Sequence, residues 1–143
     1  MNNLPAVTKN LLIINVLCFF GSIVARRHGV DLNDMLGLHF FMASDFKLFQ
    51  LITYMFMHAD FQHIFFNMFA VLMFAPSIEN RWGSKRFLIY YMVTGIGAGI
   101  IQEIVWALQL QPILNSVDPM MAAALANRVV TIGASGAVFG ILL

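Results

Sequence analysis

The sequence predicts an all-α fold, a polytopic bundle of transmembrane helices, on three observations. Hydrophobic residues make up 60% of the chain and charged residues only 10%, far from the balance of water-soluble domains. Mean hydropathy is +0.81. Long apolar stretches alternate with shorter polar ones, and glycines recur inside the apolar stretches, as close helix packing in lipid requires. The 143 residues have the length of one domain, taken as residues 1–143.

The first span covers residues 11–25 and is closed by Arg26 and Arg27. It is short for a hydrocarbon core of roughly 30 Å, so flanking residues must contribute. Lys9 precedes it as in a signal peptide, but no small-residue cleavage pattern follows and further spans do, so it is read as a retained helix. Residues 28–62 mix Phe40, Phe41, Phe46, Phe49, Tyr54 and Phe56 with Asp31, Asp34, Asp45 and Lys47. That stretch is too polar to cross a bilayer and too apolar to float free, and is expected to lie half-immersed at the interface, with His28 and His39 as surface groups.

The second span, residues 61–78, carries His63 and Asn67 near its start, where polar groups turn toward protein or water rather than lipid. A tight turn follows with Arg81, Lys85 and Arg86. The third span, residues 87–110, presents Gly95, Gly97 and Gly99 as a small-residue face, and Glu103 is expected as a solvated rim group near its end. Residues 111–130 form a second connecting loop. The fourth span covers residues 133–143 onward: eleven residues give about 16 Å of helix, half a membrane, so the chain is read as truncated.

The basic turn after the second span, against the single Arg128 in the loop after the third, places that turn and the N-terminus in the cytoplasm. The second and fourth spans then both begin on the extracytoplasmic side, and His63, Asn67 and Ser135 share one depth. With no Arg- and Ser-rich transit segment at the start, the expected location is a bacterial inner membrane. A net charge of +1 excludes the basic stripe that nucleic acid requires. The lone Cys18 has no disulfide partner, the ten methionines are scattered, and no His-Glu-x-x-His occurs, so neither metal nor cofactor is expected.

Two constellations carry chemistry. His63 and Asn67, four residues apart, lie on one face of a helix. An imidazole and a carboxamide so placed can hold a developing oxyanion, or simply hydrogen-bond neighbouring helices. Ser135 lies in Gly133-Ala134-Ser135-Gly136 and is either a nucleophile kept close to backbone or part of a packing surface, since Gly136 and Gly140 form a GxxxG pair. It is not the nucleophile elbow of soluble hydrolases, because Ala137 stands where that motif needs glycine.

In order, these features are His58-Ala-Asp-Phe-Gln-His63-Ile-Phe-Phe-Asn67, then Glu79-Asn-Arg81-Trp-Gly83, then Gly133-Ala-Ser135-Gly136. The chain thereby resembles the rhomboid family of intramembrane serine proteases over nearly its whole length. The resemblance implies a six-span fold and cleavage of transmembrane protein substrates in or near their membrane segments. It makes Ser135 the nucleophile, with His63, Asn67 and the Ser135 N–H as oxyanion site. Glu79 and Arg81, with Gly83, match a structural motif, and His58 a histidine with a structural hydrogen bond. The general base is implied to be a histidine on a later span, so these 143 residues alone are expected to be inactive. Two positions depart from the family pattern: Phe49-Gln50 replaces a common Trp-Arg pair, and Phe139 a common tyrosine. The competing expectations are a non-catalytic derlin-like or pseudoprotease scaffold, which would need neither Ser135 nor the His63/Asn67 pair, and a transporter or channel subunit, which would need a continuous polar path.

Overall fold

The computed structural model describes residues 4–142. Residues 1–3 and 143, the outermost parts of the expected domain and of the expected fourth span, lie outside the described residues. Helix α1 (Ala6–Arg27), α4 (Phe61–Trp82) and α5 (Ser84–Ser116) are each long and apolar enough to cross a membrane. Between α1 and α4 come α2 (Leu32–Leu36), strand β1 (Leu38–His39), α3 (Gln50–Thr53) and a 3-10 turn (Tyr54–Phe56). After α5 follow α6 (Pro119–Ala126), strand β2 (Val130–Thr131) and α7 (Ser135–Leu142).

The long helices extend beyond the apolar stretches because caps, not hydropathy, set helix ends. Helix α1 stops where Gly29, at φ 84°, lets the Val30 N–H return to the Ala25 carbonyl at 2.9 Å. Asp60 starts α4 by accepting the His63 N–H at 2.8 Å, and Asp118 with Pro119 behind it starts α6. Gly83, at φ 90°, is the corner between α4 and α5, a conformation that suits glycine. Helix α5 runs 33 residues, about 50 Å, well beyond one hydrocarbon thickness. Much of the expected loop over residues 111–130 is therefore helix, in the end of α5 and in α6.

The outward faces of the long helices are apolar. Leu17, Phe20, Val24, Phe66, Met73, Val93 and Ile101 are all exposed, an arrangement suited to lipid rather than water. The buried stripe of α1 is instead Thr8, Leu11, Asn15, Phe19 and Ser22, at spacings of three and four. Lipid gives no hydrophobic drive to helix pairing, so small and polar residues mediate it. The Asn15 amide and the Ser22 hydroxyl return their donors to their own helix, at the Leu11 and Phe19 carbonyls, both at 2.7 Å.

Helices α1 and α4 are antiparallel, because Val7 and Thr8 at the start of α1 bond Glu79 at the end of α4. Helix α7 packs on α5 through its glycines. A Cβ at Gly136 would fall 2.5 Å from the Ala98 methyl, and one at Gly140 would fall 2.9 Å from Thr94. The expected glycine face of α5 is corrected in one member. Gly95 and Gly99 are buried against Met55 and Tyr54, but Gly97, two positions from each, has nothing within 4 Å. Residues i and i+4 share a helix face and i+2 points away.

The segment between α1 and α4 is knitted at its backbone. Leu38 and His39 pair antiparallel with Thr131 and Val130, tying this loop to the lead-in of α7. Gln50 is buried: its Oε1 accepts the His39 N–H at 3.2 Å, and its Nε2 donates to the carbonyls of Asp45 and Met35 at 2.9 and 3.3 Å. The amide thus satisfies three loop backbone groups. His28 is exposed as expected, but His39 is not a surface group. It is 1% exposed because β1 is covered by its β2 partner and by Gln50, and its Nε2 lies against the Asp34 carbonyl and 3.6 Å from the Asp34 carboxylate. Glu103 is likewise not a free rim group. The loop crosses it, and its Oε2 accepts the Phe41 N–H at 2.7 Å while Oε1 is buried.

Candidate active site

Two polar side chains of α4, His63 and Asn67, converge on the lead-in of α7 at the end of the bundle where α4 and α7 both begin. Asp60 fixes the first turn of α4 and so orients His63, one helical turn from Asn67. The Ala59 N–H donates to His63 Nδ1 at 3.2 Å. That bond assigns the tautomer: Nδ1 is the acceptor, and Nε2 carries the proton.

The Nε2 edge of His63 faces Gly133. A Cβ built on Gly133 would lie 2.6 Å from His63 Nε2 and 3.8 Å from Asn67 Nδ2. Both donors therefore reach the same backbone, two residues before Ser135. Gly133 holds φ 118° and donates its N–H to the Tyr54 carbonyl at 2.8 Å. The Tyr54 ring lies in turn beneath Gly136, and its hydroxyl donates to the Gly95 carbonyl. Burial pushes the Tyr54 phenol up to about 12, which keeps that donor protonated.

Ser135 is the first residue of α7 and is exposed, as is Phe139 one turn later, 67% exposed on the same face. Among the described residues Ser135 makes no side-chain hydrogen bond to His63, Asn67 or His58. The first N–H groups of α7 lack intrahelical acceptors by position, so the start of the helix offers donors and the positive end of its dipole.

His58 lies behind this arrangement, 1% exposed, with its ring 4.9 Å from that of His63 in an edge-on contact. Its Nε2 accepts the Ala134 N–H at 3.4 Å. Burial first, and the neighbouring His63 second, hold its pKa at about 4, below the ordinary 6.5. In the unfolded chain His58 takes up its proton near 6.5, and in the folded chain only near 4. Stability is therefore complete above pH 6.5 and falls by up to about 3 kcal/mol as pH drops from 6.5 to 4. Unfolding measured in micelles at pH 7 and pH 4.5 should show this loss, and His58→Gln should flatten it. An unchanged slope in that variant would assign the pH dependence to other groups.

At the opposite end, Glu79 is buried and accepts from Val7 N, Thr8 N, Thr8 Oγ1 and Ser84 Oγ at 2.7–2.8 Å. Arg81 is exposed beside it and makes no ion pair among the described residues.

A bundle with three helices long and apolar enough to cross a membrane, and with an imidazole and a carboxamide beside a serine-bearing helix start, defines an integral membrane protein. The Rhomboid domain pattern matches residues 45–143, and the chain belongs to the rhomboid family. It is 30% identical over 137 residues to "Putative rhomboid protease YdcA" of Bacillus subtilis (strain 168), covering 96% of this chain and 59% of that relative. It is 27% identical over 122 residues to "Rhomboid-like protein 11, chloroplastic" of Arabidopsis thaliana, covering 78% and 37%. It is 30% identical over 69 residues to "Rhomboid-like protease 3" of Toxoplasma gondii, covering 47% and 26%. The chain thus spans about three-fifths or less of the length of these relatives.

Proposed function

We propose that the full-length protein is an intramembrane serine endopeptidase that cleaves transmembrane protein substrates in or near their membrane segments. The observation that carries this reading is the convergence of His63 Nε2 and Asn67 Nδ2 on Gly133, two residues before Ser135. Ser135 Oγ attacks the scissile carbonyl. The oxygen that gains charge is held by the N–H donors of His63, Asn67 and Ser135; as the C–N bond breaks, the amine half leaves with the proton that the base took from Oγ, and water then hydrolyses the acyl-enzyme to a free acid and restores Ser135. Donors fixed at a helix start favour the charged tetrahedral species over the neutral carbonyl, the condition for faster chemistry rather than tighter binding alone.

The base is not among the groups at this site. His63 uses its Nδ1 lone pair on Ala59, and His58 uses its Nε2 lone pair on Ala134. We place it on a histidine outside residues 4–142, so the 143 residues alone are inactive. By the positive-inside rule the Gly83 corner faces the cytoplasm and the site the opposite side, in a bacterial inner membrane.

Full-length protein treated with a fluorophosphonate probe tests this directly. Ser135 should label, Ser135→Ala should not, and Asn67→Ala should slow labelling by about 10- to 1000-fold. Labelling that survives Ser135→Ala would reject the nucleophile, and an unlabelled full-length protein would support the scaffold instead.

A further inference from the structure

The Gly83 corner, about 30 Å of α4 away from His63, carries charge that no described residue neutralises by an ion pair. Arg81, Lys85 and Arg86 are all exposed, and none makes an ion pair among the described residues. The one carboxylate at the corner, Glu79, is turned inward onto Val7, Thr8 and Ser84. Immediately below, on the flank of α5, lies a groove of about 370 Å³ lined by Trp82, Arg86, Ile89, Tyr90 and Val93.

The lining is graded along the membrane normal. Arg86 stands at the corner end, and Ile89 and Val93 continue the same face of α5 about 10 Å further along the helix. Trp82 meets Tyr90 edge-on, ring centroids 5.1 Å apart, and forms an aromatic wall at the depth where such residues anchor to the bilayer interface. The Tyr90 hydroxyl is already committed to the Gly140 carbonyl, so its ring, not its polar end, faces the groove. Cations above and aromatic and aliphatic walls below match one class of molecule.

We propose that this groove is a binding site for an anionic phospholipid, its phosphate on Arg86 with Lys85 and Arg81 beside it, and one acyl chain along Ile89, Tyr90 and Val93. A guanidinium binds phosphate through paired N–H donors, which makes Arg86 the anchor. The apolar floor separates this ligand from a free phosphate ion, which would gain nothing from Ile89 and Val93.

Trp82 serves as the reporter once the other indole is removed by Trp106→Phe. In vesicles of zwitterionic lipid, small mole fractions of brominated phosphatidylglycerol or brominated phosphatidylcholine are added and Trp82 quenching is read. The anionic lipid should reach half-quenching at about five-fold lower mole fraction, the factor equivalent to about 1 kcal/mol for a basic residue at an anionic surface. Arg86→Gln should remove most of that preference, while Arg128→Gln, at the far end of the bundle, should retain it. Equal quenching by the two lipids, or a preference that persists in Arg86→Gln, would overturn the site. Loss of the preference on adding millimolar inorganic phosphate at matched ionic strength would assign the corner to a soluble anion and overturn the lipid.

Discussion

Gly133→Ala is expected to slow Ser135 labelling in the full-length protein by about 100-fold or more while leaving a folded bundle. Two independent costs meet at this residue. The backbone sits at φ 118°, where a side chain adds about 1–3 kcal/mol of strain. The new methyl would also lie 2.6 Å from His63 Nε2 and 2.7 Å from Cε1, well inside contact distance. The His63 ring cannot retreat freely, because His58 is 4.9 Å behind it and Ala59 holds Nδ1. Either the ring or the Gly133–Ser135 backbone must shift by the better part of an ångström, and misplacement on that scale costs about 100-fold in an oriented reaction. Gly29→Ala is the matched control: its φ is 84°, yet a Cβ there meets nothing within 4 Å. It should carry the strain cost alone and keep its labelling rate. If Gly133→Ala labels as fast as the parent, His63 does not act at this backbone and the oxyanion assignment falls.

The features legible in the sequence were those with a strong local signal. Composition and runs of apolar residues determine whether a helix can lie in lipid, so α1, α4 and α5 are visible without any tertiary information. The juxtaposition of His63 and Asn67 follows from helical spacing alone. Their meeting with Gly133 follows from an even simpler constraint: two loops that both return to the same end of the bundle bring the starts of α4 and α7 side by side.

What was not legible depends on partners far along the chain. The ladder of Leu38–His39 with Val130–Thr131 has only two residues per strand, too few for an alternating pattern. His39 reads as a polar loop residue because burial of β1 is decided by a segment some ninety positions later. Gln50 reads as a departure from the common Trp-Arg pair, and only the carbonyls of Met35 and Asp45 with the His39 N–H reveal that the amide holds the loop backbone. Glu103 became a tether because the Phe41 N–H lies above it. The caps at Asp60 and Asp118-Pro119 are a different case. Their signals stand in the sequence and predict the helix starts, but hydropathy locates the lipid-embedded part of a helix rather than its ends.

The largest expected loss of stability is at the other end of the bundle, in Glu79→Ala. The carboxylate accepts four hydrogen bonds, two of them from the backbone N–H groups of Val7 and Thr8 in the first turn of α1. Those donors have no intrahelical acceptor, and α1 begins with Pro5 as a cap that supplies no side-chain bond, so Glu79 acts as the cap from another helix. Its removal strands buried donors rather than merely deleting a contact. A loss of about 3–5 kcal/mol follows, the range for breaking one side of a buried charged network. Glu79→Gln keeps one carbonyl acceptor but turns an NH₂ group toward donors, and should fall between the two. Thermal unfolding in micelles would rank the three proteins. The geometry also separates this effect from catalysis, because the site lies about 30 Å of α4 away: Glu79→Ala that remains folded at low temperature should label Ser135 at the parent rate. A melting temperature unchanged by Glu79→Ala would mean that α1 is held by its buried stripe alone and that the four bonds contribute nothing net.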